Sequence, residues 1–517
     1  MEGDAAQAGV KESSPLYFND LFRRSCLQEV QEPLRGRVTG SFPPWLRGRL
    51  LRNGPGLNVV GPDRYAHSFD GLSLLRQFSV DNGEVSFRNR FLRSQAYVRN
   101  RKANRIVVSE FGTAAHPDPC AGVFERLATM FTPHLTDNAL VNVMPIGDEY
   151  YAMTETPYVH RVDPATLETL NREDLSKLVA VHTITAHPHV DPDDRSTFNV
   201  GTQMGLRPAF VLVRFPPSDE CPPGSESVRE GKVVGKIPMQ SRFFPSYTHS
   251  FAMTENWLIV VEQSVVVNVP NLFLAKVMGG TFEGALSFDP YKNARFHMMN
   301  KKTGELHPVV LEAPPFFTFH HINAYERDRE IVVDLCGFDD GSVIKSLGVA
   351  DPEAKKHFQG ATVRRFVLPL DQDAKSPVLV KQRVLSKDVD GHALRGELPR
   401  INYERFNGRP YRFAYLVGHV DGVADKWFVS KLDVESGVWM RWQKPGWTPS
   451  EPVFVARPGA VDEDDGVVIC SLLDVEDENK LLFVALDARN LEQIASAEFE
   501  TPSSNPLGFH GWFISEL

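Results

Sequence analysis

The stretch Ile331-Val-Val-Asp-Leu335 shows the pattern that runs through the whole chain: a short run of mostly β-branched and apolar residues. Similar runs occur at Trp257-Leu-Ile-Val-Val261 and Leu481-Leu-Phe-Val-Ala485. Gly, Pro, Asp and Asn separate such runs along the sequence, and long periodic helical patterns are scarce. Many short strands bounded by turn residues are typical of an all-β protein. We therefore predict an all-β fold.

Polar turns recur between these runs and predict how the strands are grouped. Seven of them are spaced by roughly 53 to 84 residues, which favours seven sheet units arranged as a β-propeller. The turns lie near residues 81–83, 163–164, 216–218, 300–304, 371, 433–437 and 487–490.

Composition excludes several classes of protein. The chain has 517 residues, a formal net charge of −10 and 24% charged residues. An acidic protein is poorly suited to nucleic acid, because binding phosphates requires a basic surface. No Gly/Ser-rich linker or abrupt change of composition divides the chain. We therefore predict one domain over residues 1–517, with residues 1–20 as a flexible N-terminal tail.

The cysteines and the apolar segments indicate the compartment. Five single cysteines without a CxxC pair are typical of a reduced, intracellular protein. The acidic N-terminus lacks the features of a signal peptide. The most apolar segment, residues 257–278, contains polar interruptions that argue against a membrane-spanning helix. We expect a cytoplasmic protein that either stays in solution or lies on a membrane surface.

One segment has a helical pattern, residues 122–131. Val123, Leu127 and Phe131 fall on one helix face, with Phe124 beside it. Such a helix could pack on the core or lie on a membrane surface, and the pattern fits both.

Four histidines stand out among 16 because each lies near a strand-like segment: His187, His249, His320 and His510. Their separations are 62, 71 and 190 residues, which correspond to one, one and three sheet units. Histidines at equivalent positions of propeller blades would converge on the central axis, where the main use of four imidazoles is metal binding.

The ligand type indicates the metal. A hydrolytic zinc site more often has three protein ligands and a water. Four imidazoles on an octahedral ion leave two positions open, which suits Fe(II) that binds O₂. Each ligating imidazole also needs an acceptor for its second N–H. Glu155, Glu397 and Glu451 are candidates, although each by itself could equally be a surface charge or part of a salt bridge.

Ordered motifs from about Cys26 to Phe513 resemble the carotenoid cleavage oxygenase family. That resemblance implies a seven-bladed β-propeller with a helical cap and iron on its axis. The motifs are Leu50-Leu-Arg-Asn-Gly-Pro-Gly56, His67-Ser-Phe-Asp-Gly71, Glu110-Phe-Gly-Thr113, Pro117-Asp-Pro-Cys120, Thr136-Asp-Asn-Ala139, Ala186-His-Pro-His189, His320-His-Ile-Asn323 and His510-Gly511.

The resemblance implies a role for each matching residue. The four histidines would bind Fe(II), and the three glutamates would hold the histidines. In the His320-His321 pair the first matches the family's His-x-x-Asn pattern. Thr154 would lie beside the open iron position. Further family positions are the substrate-tunnel residues Phe69, Phe111, Tyr247 and Phe338, for which core packing is the alternative.

The implied substrates are O₂ and an apolar carotenoid, and an excess of Phe (34, against 12 Tyr and 7 Trp) suits a tunnel for a polyene. Carotenoids reside in membranes, so the tunnel mouth is expected to touch one. The candidate contacts are Cys120, Val123, Phe124, Leu127 and Phe131, together with the segment Val265–Met278.

Local strings within the family, such as residues 105–110 and 510–513, are similar to the insect carotenoid isomerooxygenases. That similarity implies cleavage of the central 15,15′ double bond of zeaxanthin, lutein or β-carotene. One half would become an 11-cis retinoid for the visual chromophore. A retinyl-ester isomerase has Trp at the position of Phe338, which argues against that activity. Central cleavage without isomerisation, ester isomerohydrolysis and a non-enzymatic carotenoid carrier are the alternatives.

Overall fold

The protein is described by a computed structural model over residues 18–120, 135–278, 280–348, 359–370, 377–385, 395–419 and 427–516. Besides two short ribbons, its strands form six mainly antiparallel sheets, and the eight-stranded one comprises two blades, which gives the seven blades of a β-propeller. Blades 5 and 6 are joined by a single bridged pair, Thr362 with Arg395. The predicted all-β fold of seven sheet units is confirmed.

Blade 1 contains Leu34–Arg35, Gly48–Arg52, Pro55–Leu57, Leu72–Asp81, Glu84–Phe91 and Gly511–Ser515, and blade 2 contains Asn142–Ile146, Glu149–Met153, Tyr158–Val162 and Thr169–Asp174. Blade 3 contains Thr183–Ile184, His189–Val190, Thr197–Gln203, Ala209–Phe215 and Lys232–Pro238, and blade 4 contains Ala252–Met253, Trp257–Glu262, Ala294–Asn300, Leu311–Ala313 and Val378–Leu379.

The last three blades follow in chain order. Blade 5 contains Phe317–Arg327, Glu330–Phe338, Thr362–Pro369 and Lys381–Val384, and blade 6 contains Arg395–Arg400, Phe413–His419, Trp427–Asp433 and Trp439–Trp442. Blade 7 contains Arg37–Gly40, Trp447–Pro449, Val453–Ala456, Gly466–Asp474, Lys480–Asp487 and Gln493–Glu500.

Short elements lie outside the blades. Two-stranded ribbons pair Val59–Val60 with Asp63–Arg64 and Val265–Val267 with Leu286–Phe288. The α-helices of the described chain are Phe18–Phe22, Gln95–Ala103, Leu175–Val179, Val269–Met278, Ser342–Ser346 and Tyr403–Phe406, and the 3₁₀ helices are Ser218–Glu220, Ser227–Glu230 and Glu283–Ala285.

Six of the seven predicted turns lie in described residues, and each connects two paired strands of a different blade. Residue 371 and the predicted helix over residues 122–131 lie outside the described ranges. One turn per blade is the expected signature of a repeated sheet unit.

The two ends of the chain close the ring. Strand Arg37–Gly40 pairs with Gln493–Glu500 in blade 7, and strand Gly511–Ser515 pairs with Gly48–Arg52 in blade 1. Each of these blades therefore combines residues from both ends of the chain. Such closure ties the first blade to the last and removes an open gap in the ring.

Much of the Phe excess is used in packing between blades. The rings of Phe78 in blade 1 and Phe483 in blade 7 are stacked with centroids 5.0 Å apart. Phe87 and Phe499 belong to the same buried cluster. Aromatic pairs at these distances contribute about 0.5–1.5 kcal/mol beyond the area they bury. The abundance of Phe is therefore not by itself a sign of a ligand.

The predicted membrane contact is wrong for Val265–Val267. These three residues form a buried strand with at most 3% of their surface exposed. Helix Val269–Met278 follows, and its Leu274 is 58% exposed. No helix of the described residues is both long and apolar enough to cross a membrane. All five cysteines are free, and Cys120 is exposed.

A substitution at Gly511 tests how the ring is closed. A Cβ at this position would lie 2.1 Å from the carbonyl oxygen of Leu51, on the partner strand. We expect Gly511→Ala to lower the free energy of unfolding by about 1–3 kcal/mol, the usual cost of overpacking. Gly284→Ala is the control, because its nearest neighbour, Thr281 Oγ1, would be 3.4 Å away. Urea unfolding measures both, and equal midpoints would contradict this account of the closure.

Candidate metal centre

The four candidate ligands come from four different blades. His187 lies in the loop between the short strands Thr183–Ile184 and His189–Val190 of blade 3. His249 precedes blade 4, and His510 immediately precedes the closing strand of blade 1. His320 lies within strand Phe317–Arg327 of blade 5, where the register with the neighbouring strand shifts. The propeller thus brings together residues that are up to 323 positions apart in the chain (510 − 187).

These four side chains converge to form one cluster. One ring nitrogen from each lies within 4.8 Å of all the others. The Nε2–Nε2 distances are 3.0 Å from His187 to His249, 3.3 Å from His249 to His320 and 3.1 Å from His320 to His510. Three of the rings are buried and His187 is half-buried.

Hydrogen bonds on the other ring nitrogen set the tautomer of three of these histidines. The Nδ1 atoms of His249, His320 and His510 each face a carboxylate oxygen. Because an ionised carboxylate can only accept, each Nδ1 carries the proton and each Nε2 presents a lone pair. Lone pairs that face one another at about 3 Å repel unless a cation lies between them. The donor set therefore fits a metal ion.

The three carboxylates are the predicted glutamates. Glu155 accepts from His249, and Glu397 accepts from His320 at 2.5 Å. Glu451 accepts from His510 at 2.9 Å. The structure thus places all three beside the cluster instead of leaving them as free surface charges. Such hydrogen bonds fix the orientation of a metal-binding imidazole and make it a stronger donor to the metal.

Three of the four histidines, His187, His249 and His510, are held in the neutral form that binds metals. Burial, together with the neighbouring His510, His249 and His320, holds the pKa of His187 well below its usual value of 6.5. Burial lowers the pKa of His510 to about 4. Neutral imidazoles at neutral pH keep their lone pairs available, so a metal ion does not have to displace protons from Nε2.

An aromatic cluster lies against this centre. The ring of Phe319 is 5.0 Å from that of His249. Phe69 and Phe338 both contact Phe319, with centroids at 6.0 and 5.9 Å. Phe111 contacts Phe69 at 5.6 Å. The predicted tunnel residues Phe69, Phe111 and Phe338 therefore share one apolar surface with Phe317 and Phe319, and these five residues are named here the aromatic wall.

Phe317 and Phe319 are members of the wall that the sequence reasoning missed. Both occur in Phe316-Phe-Thr-Phe-His320, directly before a predicted ligand, and their rings are 4.6 Å apart. The signal for them is their alternation at the start of strand Phe317–Arg327, just before the ligand candidate His320.

Tyr247 lies on the carboxylate side of the centre. The Tyr247 hydroxyl donates to Glu155 at 2.6 Å, and its ring stacks 6.3 Å from Phe317. Tyr247 therefore links the aromatic wall to a carboxylate that holds a histidine. Thr154 is buried and directly precedes Glu155.

The neighbouring histidines His320 and His321 provide a matched test of the ligand set. His321 Nδ1 lies 2.8 Å from Ser250 Oγ, outside the cluster of four. We expect His320→Ala to lose most of the bound metal, because the substitution removes one Nε2 lone pair and leaves Glu397 without its imidazole partner. His321→Ala should keep nearly all of it. Metal analysis of the purified variants measures both, and full occupancy in His320→Ala would remove this residue from the ligand set.

Known proteins share this sequence and this arrangement. The family model described as retinal pigment epithelial membrane protein, RPE65, matches residues 23–515. A carotenoid-cleaving dioxygenase, mitochondrial, of Mustela putorius furo is 37% identical, over 99% of this chain and 98% of its own. A beta,beta-carotene 15,15′-dioxygenase of Mus musculus is 37% identical (95% and 90%), and a carotenoid isomerooxygenase of Galleria mellonella is 36% identical (95% and 95%).

These three relatives are about equally similar, so overall identity does not favour the isomerooxygenases. Among solved structures, a variant of the Synechocystis apocarotenoid oxygenase superposes with a TM-score of 0.79 at 25% identity, covering 97% of this chain and 100% of its own. The matched length, the identities and the shared propeller agree with one another. The chain therefore belongs to the RPE65 family, the carotenoid cleavage oxygenases.

Proposed function

We propose that this protein is an iron(II)-dependent dioxygenase that cleaves the central 15,15′ double bond of a carotenoid into two retinoid aldehydes, and that it isomerises one half to the 11-cis form. The observation that carries the proposal is the convergence of four imidazole groups beside the aromatic wall. It supports a metal site that borders an apolar substrate.

Iron fits this donor set best. Four imidazoles fill four positions of an octahedral ion and leave two for small molecules. Fe(II), when bound, would supply the O₂ chemistry that protein side chains lack. His187, His249, His320 and His510 would hold it, and the glutamates would keep three of these rings in the correct tautomer.

The other residues act on the substrate and the solvent. A carotenoid offers almost no hydrogen-bonding groups along its polyene, so shape and aromatic packing must set which bond lies at the centre. We assign that role to the aromatic wall with Tyr247. Thr154 would border the open position. These residues would also exclude water from the site. Their packing would hold the double bond in position for the reaction.

The position of cleavage and the isomerisation rest on narrower support. Two relatives carry names that state central cleavage or isomerooxygenase activity. The local strings at residues 105–110 and 510–513 support the isomerooxygenase. Phe338, in place of a Trp in the ester isomerases, supports oxygenation over ester isomerohydrolysis. Central cleavage without isomerisation is the second candidate, because the 15,15′-dioxygenase is equally similar.

We place the protein in the cytoplasm, where it would bind the surface of a membrane to collect its substrate, with residues 1–517 acting as one unit. Exposed apolar side chains support a docking face near helix Val269–Met278. Phe243 and Phe244 are 48% and 44% exposed, Leu274 is 58% exposed, and the N–H of Val269 donates to the carbonyl of Phe243. Cys120 is exposed as well, while its predicted partners Val123, Phe124, Leu127 and Phe131 lie outside the described residues.

Product analysis tests the proposal. Iron-loaded protein is incubated in air with zeaxanthin, β-carotene or a retinyl ester, and the products are separated by HPLC that resolves retinoid isomers. We expect oxygen-dependent loss of the carotenoid and C20 aldehydes that include an 11-cis isomer. The His320→Ala variant is the matched control and should be inactive.

The outcomes separate the candidates. Cleavage to all-trans aldehydes alone would support the dioxygenase without isomerase. Shorter or longer aldehydes would contradict the central position. Hydrolysis of the retinyl ester without loss of carotenoid would overturn the oxygenase proposal, and carotenoid binding without turnover would identify a carrier.

A further inference from the structure

Arg52 is a fully buried cation at the end of strand Gly48–Arg52 in blade 1, with 1% of its surface exposed. Its Nη1 donates to Glu451 Oε2 at 2.8 Å, and its Nη2 donates to the Glu451 carbonyl at 2.6 Å and to Ser450 Oγ. The guanidinium therefore lies directly behind the carboxylate that holds His510. An arginine in a protein stays charged, so this is a permanent positive charge beside the metal centre.

The three carboxylates of the centre differ in what lies behind them. Glu155 receives the hydroxyl of Tyr247, and Glu397 receives the N–H of Leu398. Glu451 is paired with a guanidinium. Among the described residues, neither Glu155 nor Glu397 forms an ion pair with Arg or Lys.

Other cations near Glu451 are placed differently from Arg52. Arg400 also forms an ion pair with Glu451, but its Nε is 3.6 Å from Oε1, beyond a normal hydrogen bond, and its side chain is 17% exposed. Arg76 is also buried, but its partners are the carbonyls of Leu74, Pro55 and Pro506. Arg52 is thus the fully buried charge that is hydrogen-bonded to Glu451.

This arrangement affects the metal because charges interact strongly in a buried site. A carboxylate behind an imidazole increases the electron density that the imidazole gives to the metal. Glu155 and Glu397 can do so fully, whereas the charge of Glu451 is offset by Arg52. His510 should therefore be a weaker donor than His249 and His320, and the site should be less negative.

We infer that Arg52 is a positioning and charge-compensating residue of the metal centre: by neutralising Glu451 it raises the Fe(III)/Fe(II) reduction potential and keeps the iron in the ferrous state. This inference rests on the proposed iron site. Its direction follows from electrostatics, because a nearby positive charge favours the ion of lower charge.

The potential of the iron tests the inference without reference to activity. Wild type and Arg52→Gln are loaded with iron, their iron content is measured, and the Fe(III) signal is followed by electron paramagnetic resonance during a redox titration. We expect Arg52→Gln to shift the equilibrium toward Fe(III) roughly tenfold. For one electron, this shift is a decrease of about 59 mV in the reduction potential. Arg52→Lys keeps the positive charge, so it should change the reduction potential by only a small fraction of that amount.

Arg365→Gln is the matched control. Arg365 is another buried arginine, paired with Asp334 at 2.8 and 2.7 Å within blade 5. Its loss should destabilise the fold to a similar extent and leave the potential unchanged. A potential that moves equally in both variants would show a general effect of destabilisation and would overturn the inference.

A second pair of variants covers the case in which Arg52→Gln does not fold. Glu451→Gln alone should raise the potential, because the positive charges of Arg52 and Arg400 are then no longer offset. The double variant Arg52→Gln/Glu451→Gln should have a reduction potential close to that of the wild type. Equal potentials in these two variants would overturn the inference, whereas a wild-type protein that binds no iron would contradict the proposed function itself.

Discussion

The convergence of four imidazole lone pairs on one point is the constraint on which the rest of the structure depends. His249, His320 and His510 have their Nδ1 proton fixed by a glutamate, so their Nε2 atoms cannot donate to one another across separations of 3.3 and 3.1 Å. Only a cation relieves that repulsion. The propeller supplies what such a centre needs, because its axis is where separate blades approach most closely.

The closure of the ring and the metal centre use the same residues. Asn53 follows strand Gly48–Arg52, and its N–H donates to the carbonyl of His510 at 2.9 Å, while the N–H of Phe509 donates back to the Asn53 carbonyl at 2.8 Å. The Asn53 side chain also donates to the carbonyls of Ala139 and Asn142, which lie at blade 2. His510 is thus positioned by the seam that joins the ends of the chain. A substitution in the seam should therefore also affect metal binding.

The sequence allowed the architecture to be predicted because each blade repeats a turn between two apolar runs, and six described turns obey that rule. The ligands could be found because each histidine occupies a similar place in its own unit. An apolar run does not show whether it faces the core or a membrane, and Val265–Val267, a predicted membrane contact, is a buried strand. The pairing of Arg52 with Glu451 joins residues 399 positions apart and has no local signal. Bond selectivity and isomerisation depend on the shape of an apolar surface, which closely related chains can vary without changing any motif.

X-ray absorption spectroscopy of the iron-loaded protein tests the central claim most directly, because imidazole rings give a distinct multiple-scattering pattern whose strength counts them. The account predicts Fe(II) bound by four imidazoles, with any further ligands being light atoms at one or two remaining positions. A spectrum that requires only two or three imidazoles, or a protein carboxylate or sulfur bound to the iron, would contradict it.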